Sequence, residues 1–188
     1  MGNIVVTEFV SLDGVMEGPG GGEDYKHVGW SFEYDRGEAG DRFKLEELMD
    51  AEAQLLGRVT YEGFAAAWPQ MEDEAGFAER MNSMPKYVVS STLTDPEWSN
   101  TTVLPDVDAV AKLRDEVDGN ILVAGSAQLV HALTEADLVD ELRLVVFPVI
   151  LGEGKRAFGE LSDKRKLRLT SSETVGDGIS LQTYERVR

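Results

Sequence analysis

The chain has 188 residues, a formal net charge of −17, no cysteine and two histidines, which suits one well-cored soluble domain and excludes disulfide scaffolds, thiolate nucleophiles and His-rich metal sites. That charge repels a polyphosphate backbone, and the one short basic run, Lys164-Arg165-Lys166, is too small to offset it, so nucleic acid is a poor partner. No apolar run is long enough to span a membrane and the first strand opens within a few residues of Met1, so a cytoplasmic protein without membrane segment or signal peptide is expected.

Ile4 to Val10 is β-branched and apolar enough for a buried strand, followed by Ser11-Leu12-Asp13-Gly14 and a Gly/Pro-rich loop through Gly22. Asp13 suits a plain Asp-Gly turn, yet α/β folds also place ligand-facing carboxylates at the ends of buried strands. Phe43, Leu45, Leu48 and Met49 predict a helix over 35–50. Ala53-Gln54-Leu55-Leu56 reads as a short strand, and Gly57-Arg58-Val59-Thr60 turns it into a second helix with Thr60 as N-cap. An arginine fork beside a helix N-terminus suits a phosphate; an exposed arginine also serves solubility alone. Trp68-Pro69 ends this helix, and 72–84 predicts another with Phe77, Met81 and Met84 inward. Lys86 to Thr92 reads as a strand ending in the hydroxyls of Ser90, Ser91 and Thr92, which serve equally in turns and toward phosphate oxygens.

Thr101 to Leu104 predicts a short strand and Val107 to Val117 a helix. Then Ile121-Leu122-Val123-Ala124 reads as a strand buried on both faces, Gly125-Ser126 as a tight turn, and Leu129, Val130 and Leu133 as a helical stripe. Such a junction leaves backbone N–H groups unpaired at a helix N-terminus, where a phosphate fits, although taken alone most such turns only reverse the chain. Glu141 to Leu151 predicts a long strand, and 166–171 with 179–184 alternate as an antiparallel hairpin joined through Gly176-Asp177-Gly178. Strands alternating with helices and then pairing directly predict an α/β domain with a mostly parallel sheet and an antiparallel edge. Gly152-Glu153-Gly154 matches a dinucleotide pattern only loosely and reads as a surface turn; no G-x-S-x-G or H-E-x-x-H occurs.

Five blocks in order carry a resemblance over nearly the whole chain: Val10-Ser11-Leu12-Asp13-Gly14, Leu55-Leu56-Gly57-Arg58-Val59-Thr60-Tyr61-Glu62, 86–92, Val123-Ala124-Gly125-Ser126-Ala127-Gln128-Leu129 and 140–154. With these the chain resembles the dihydrofolate reductase superfamily, most closely its bacterial branch related to the reductase domain of the riboflavin-biosynthesis deaminase/reductase. The resemblance implies a single domain over 1–188 with the dihydrofolate reductase-like three-layer fold, its central sheet of about eight strands closed by the hairpin. It also implies NADPH as cofactor, held by Gly57, Arg58, Thr60, Ser90, Ser91, Thr92, Gly125, Ser126, Ala127 and Gln128.

Hydride transfer needs no protein nucleophile, since the cofactor carries the chemistry and the protein aligns it. Asp13 is the candidate catalytic polar group, and Trp30, Trp68 and Pro148 are candidate pocket walls, with core packing as the competing explanation for Trp68. The expected substrate is a small heterocycle or carbonyl compound, 5-amino-6-(5-phosphoribosylamino)uracil among them, and the expected assembly is a homodimer through the last long strand or an edge. Asp35, Glu38, Asp41, Glu46 and Glu47 all lie where folate reductases carry one acid, and the inserted loop prevents matching any of them. No basic cluster suited to a ribose phosphate is visible near the pocket segments. A cofactor-binding module without turnover is the alternative.

Overall fold

In chain order the elements are β1 (Asn3–Ser11), α1 (Gly37–Met49), β2 (Ala51–Gly57), α2 (Arg58–Ala67), α3 (Phe77–Ser83), β3 (Lys86–Val89), β4 (Thr101–Leu104), α4 (Val107–Glu116), β5 (Asn120–Ala124), α5 (Ala127–Glu135), β6 (Glu141–Phe147), β7 (Leu167–Val175) and β8 (Ile179–Arg186). The structure, a computed structural model, describes residues 1–188. One sheet of eight strands runs in the order β4-β3-β2-β5-β1-β6-β8-β7. All neighbours are parallel except β8, which is antiparallel to both β6 and β7.

β1 lies inside this sheet, and apart from Thr7, Glu8 and Ser11 its inward side chains are apolar on both faces because helices cover both. On one face Ile4, Val6, Leu55 and Val123 pack against Val110 of α4 and Leu129, Val130 and Leu133 of α5. On the other, Val5, Leu56 and Val88 meet Leu48 of α1, Tyr61 of α2 and Met81 of α3. A third cluster joins Trp30 to Val145, Phe147, Ile179 and Leu181 beneath the loop after β1. No helix is long and apolar enough to cross a membrane.

Three elements are shorter than the sequence predicts. β6 ends at Phe147, because Pro148 has no N–H for the ladder and the Val149 N–H turns back onto the Phe147 carbonyl at 2.8 Å. β3 ends at Val89, so the three hydroxyls follow the strand instead of belonging to it. In place of a helix over 72–84, α3 starts only at Phe77. Asp73 accepts the N–H groups of Phe77 and Ala78 at 2.9 and 2.6 Å, and Gly76 takes the left-handed conformation that ends the preceding loop.

The chain leaves β5 toward α5 on one face and leaves β1 toward α1 on the other. The carboxyl ends of these adjacent strands therefore form a topological switch point, where open α/β sheets bind ligands.

Candidate functional site

The β2–α2 and β5–α5 junctions meet at this crevice. The Gly57 N–H donates to Ser126 Oγ at 2.8 Å, and that hydroxyl donates to Thr60 Oγ1 at 2.7 Å. The approach requires both glycines: a Cβ on Gly57 would lie 2.7 Å from Ser126 Oγ, and one on Gly125 2.9 Å from Thr60 Cγ2. Gly125 also has φ +68°, a left-handed conformation that an L side chain resists. Thr60 is not the cap expected from the sequence. The cap position is Gly57, one residue before α2, which frees the Thr60 hydroxyl for Ser126.

Neither α2 nor α5 has a side chain bonded to its first turn, whereas Asp106 caps α4 by accepting the Ala109 N–H at 2.9 Å. The two uncapped N-termini, with Ala127 and Gln128 opening α5, aim N–H donors and positive dipole ends at the crevice. Val89 is in register with Gly57, so Ser90, Ser91 and Thr92 continue the same edge. Ser90 Oγ accepts the Leu93 N–H at 3.0 Å and so shapes a turn that leaves Ser91 and Thr92 exposed. Arg58 is 44% exposed and paired bidentately with Glu62 at 2.9 and 3.0 Å. Such a surface i,i+4 pair contributes little, so the guanidinium can turn to a stronger anion. A cleft of about 800 Å³ runs along α2 and reaches Glu62 and Leu93, but its acids Glu62, Asp95 and Glu97 suit no phosphate.

At the end of β1, Asp13 fastens two loops together. Its carboxylate accepts the Ser11 hydroxyl at 2.6 Å and the N–H groups of Leu151 and Gly152 at 3.1 and 2.9 Å. The Ser11 hydroxyl, then the Gly152 and Leu151 N–H groups, hold its pKa down at about 2. At neutral pH it is an acceptor, not a proton donor. Pro148 is exposed on the segment that Asp13 secures, and its carbonyl faces Tyr34 Oη at 3.5 Å. Trp30 is buried edge-on against Phe147, their ring centroids 5.2 Å apart. Trp68 packs against Phe64 and Phe77 in the cluster beneath α2 and α3, apart from Trp30 and Pro148.

Sequence reasoning missed a group of charged side chains beside Phe147. Phe9 stacks edge-on with Phe147 at 5.4 Å, and both Arg36 and Lys44 lie over its ring, 5.1 and 5.2 Å from the centroid. Lys44 Nζ donates to Thr7 Oγ1 at 2.9 Å and pairs with Glu47, whose Oε1 also accepts the Thr7 hydroxyl at 2.9 Å. Arg143 lies 3.8 Å from the other Glu47 oxygen. Arg36 is itself paired with Asp41 at 2.9 Å and Arg143 with Glu141, so the three cations gathered by α1 and β6 are each matched by an acid, an arrangement that no linear run announces.

Glu8 is the second residue missed. It is 5% exposed, its Oε1 has no hydrogen-bond partner, and burial pushes its carboxyl up to about 8 against the opposing pull of Lys44 and the Gly125 N–H. The signal was available: one acid stands inside the apolar run from Ile4 to Val10.

A family model described as the RibD C-terminal domain matches residues 3–181. Among curated relatives, the uncharacterized protein YwjB of Bacillus subtilis (strain 168) is 29% identical over 174 residues, covering 92% of this chain and 91% of that protein. YyaP of the same organism, also described as uncharacterized, is 28% identical over 188 residues, covering 96% and 93%. Among solved structures, a Shewanella sp. PV-4 protein assigned to riboflavin biosynthesis superposes with a TM-score of 0.77 at 23% identity, covering 99% of both chains. Dihydrofolate reductase of Enterococcus faecalis, solved with NADP(H), superposes at 0.62 with 16% identity, covering 99% of this chain and 97% of that one. A pyrimidine reductase-like protein of Corynebacterium diphtheriae superposes at 0.63 with 14% identity, covering 99% and 92%. At these identities the structural likenesses establish the dihydrofolate reductase-like fold, with its mostly parallel sheet of eight strands and C-terminal antiparallel hairpin.

Proposed function

The chain belongs to the family of the RibD C-terminal domain, and from that premise we propose that it is an NADPH-dependent reductase transferring hydride to a small heterocyclic or carbonyl substrate. The observation that carries this reading is the pair of uncapped helix N-termini, α2 and α5, locked side by side through Ser126 at the switch point. In a protein of net charge −17, anion binding needs local positive charge, and two dipole ends beside Arg58 supply it.

In this reading Gly125, Ser126, Ala127 and Gln128 hold the pyrophosphate. Gly57, Arg58, Thr60 and the hydroxyls of Ser90, Ser91 and Thr92 hold the phosphate monoester. The cofactor, when bound, supplies the hydride; the protein orients it and excludes water. Asp13 serves by fixing the loops at the reacting end, with Trp30 buried behind Phe147 and Pro148 at the rim. In this reading Phe9 faces the substrate with Arg36 and Lys44 over its ring, so that a planar ring stacks and an anionic group pairs by displacing Asp41 or Glu47. The riboflavin precursor 5-amino-6-(5-phosphoribosylamino)uracil has both features and is the specific substrate proposed. Strand β7, on the sheet edge and exposed along almost all its length, is the proposed homodimer surface.

A second reading, an NADP-binding module without turnover, is favoured by one observation: the Asp13 carboxylate is engaged in loop hydrogen bonds. Calorimetric titration with NADPH and NADH tests the shared premise. Tight NADPH binding with much weaker NADH binding supports it, and no binding of either overturns it. Oxidation of bound NADPH by the uracil precursor then excludes the second reading.

A further inference from the structure

We propose that the β7–β8 turn, Gly176-Asp177-Gly178, clasps the start of α1 and so positions Arg36 over Phe9, where Arg36 reads the anionic group of the substrate. The inference deepens the substrate reading above and rests on it. By its own sequence α1 begins poorly. Two of its first four residues, Gly37 and Gly40, are glycines, the weakest helix formers after proline, and Arg36 at the cap position makes no side-chain bond to the first turn. Local propensity therefore fixes neither where α1 begins nor where Arg36 stands.

The hairpin supplies what the helix lacks. The Asp35 N–H donates to Asp177 Oδ2 at 2.7 Å, and the Asp177 N–H donates back to the Asp35 carbonyl at 2.8 Å. Asp35 Oδ1 in turn accepts the Gly37 N–H at 2.7 Å, so this pair of bonds between segments 142 residues apart sets the backbone on both sides of Arg36. The glycines permit the approach. A Cβ on Gly176, at φ +50°, would overlap the Asp35 carbonyl oxygen and lie 2.6 Å from the Arg36 carbonyl carbon, and one on Gly40 would lie 3.3 Å from Val175 Cγ2. Val175 is also the one buried residue of β7. The otherwise exposed edge strand thus meets the interior at its tip, against α1.

Arg36 follows the clasped Asp35 directly. Its Nε and Nη2 donate to Asp41 Oδ1 at 3.0 and 2.9 Å, and its guanidinium stands 5.1 Å from the Phe9 ring centroid. Lys44, the other cation over that ring, is bonded to Thr7 and paired with Glu47, so it is tied to the sheet independently of the hairpin. The two acids differ as well: the Asp41 side chain is 65% exposed and that of Glu47 2%. An exposed partner is readily exchanged, whereas a buried one is not, so Arg36 is the cation that an incoming phosphate takes over. A guanidinium binds phosphate as a planar fork, and the fork serves only where its backbone is held in place.

The experiment compares the whole natural protein with Asp177→Ala and with Asp177→Asn, whose carbonyl oxygen still accepts the Asp35 N–H. The Arg36 Nε–Hε resonance in nitrogen-15-labelled protein, assigned with Arg36→Lys, carries the ring-current shift of Phe9. It is expected to move to the position of a free arginine in Asp177→Ala and to stay in place in Asp177→Asn. With NADPH as reductant, KM for 5-amino-6-(5-phosphoribosylamino)uracil should rise about tenfold in Asp177→Ala alone, with kcat retained and KM for the dephosphorylated nucleoside unchanged. In the natural protein the phosphorylated compound, and not the nucleoside, should slow hydrogen exchange of the Asp35 and Asp177 amides, which decides the matter if Asp177→Ala fails to fold. An unmoved Arg36 resonance, equal KM changes for the two compounds, or unaltered amide exchange overturns the clasp and leaves the substrate reading standing. Binding of neither compound to the natural protein removes both.

Discussion

At the amino end of the sheet, Asp140 accepts Arg114 Nη2 at 2.7 Å, the Arg186 and Arg188 guanidinium groups at 3.2 Å each, and the Ile4 N–H at 3.0 Å. Near the carboxyl end of β1, the strand that carries Ile4, Glu8 is deeply buried with no ion pair and one oxygen unbonded. The first cluster ties β1, α4, β8 and the segment before β6 together, and its carboxylate is saturated by them. The second end leaves its carboxyl, its two helix N-termini and Arg58 underused. Polar groups that hold a fold consume one another, while those that meet a ligand stay incompletely satisfied without it.

The contrast is sharpest in Asp140→Ala. Removing the anion leaves Arg114 buried without compensation, so urea unfolding should show a loss of about 3–5 kcal/mol. NADPH affinity of the folded variant should be unchanged, and a large drop would dissolve the distinction between the two ends. Glu8→Gln should move stability the opposite way. From pH 4.5 to about 8 folded Glu8 holds a proton that the unfolded chain has released, so stability of the natural protein falls as pH rises through that window. The amide removes this slope, and chemical denaturation at pH 8 should show a gain on the order of a few kcal/mol.

Arg58→Ala should leave folding intact and weaken NADPH binding by about 1.5–3 kcal/mol, with NADH binding little affected. An unaltered NADPH affinity would break the assignment of the monoester to this edge. Asp13→Asn should cost least, about 1 kcal/mol at pH 7, by weakening the bonds to Ser11, Leu151 and Gly152. The Asp13 carboxyl is depressed from 3.8 to about 2, so its contribution is complete above the unfolded value and lost as pH falls from 3.8 toward 2. Thermal unfolding at pH 7 and pH 3 should show the gap between natural protein and variant narrowing in acid.

Much of the fold is legible in local pattern. The runs at Ile4–Val10, Ile121–Ala124 and the final hairpin give their strands, and the stripe of Val107, Val110 and Leu113 gives α4. Gly57 and Gly125 are legible as strand-Gly-helix turns, but their interlocking through Ser126 is not, because β2 and β5 are far apart in sequence and adjacent only in the sheet. Arg36 and Lys44 are obscured by the many acids of the first helical segment, and only the packing of α1 over β1 brings them onto Phe9. Pro148 is visible in sequence yet easily read through, since its apolar neighbours keep the strand pattern going.

By itself, then, the sequence determined the alternation of strands and helices, the antiparallel finish and the glycine junctions, since periodicity and turn chemistry act between residues a few positions apart. Tertiary structure alone decided which junctions touch, that Asp13 fastens loops, and that Glu8 is buried in an apolar row with one oxygen unbonded. Those outcomes depend on strand order, register and the charges that packing brings near or keeps away, and none of these is a property of neighbouring residues.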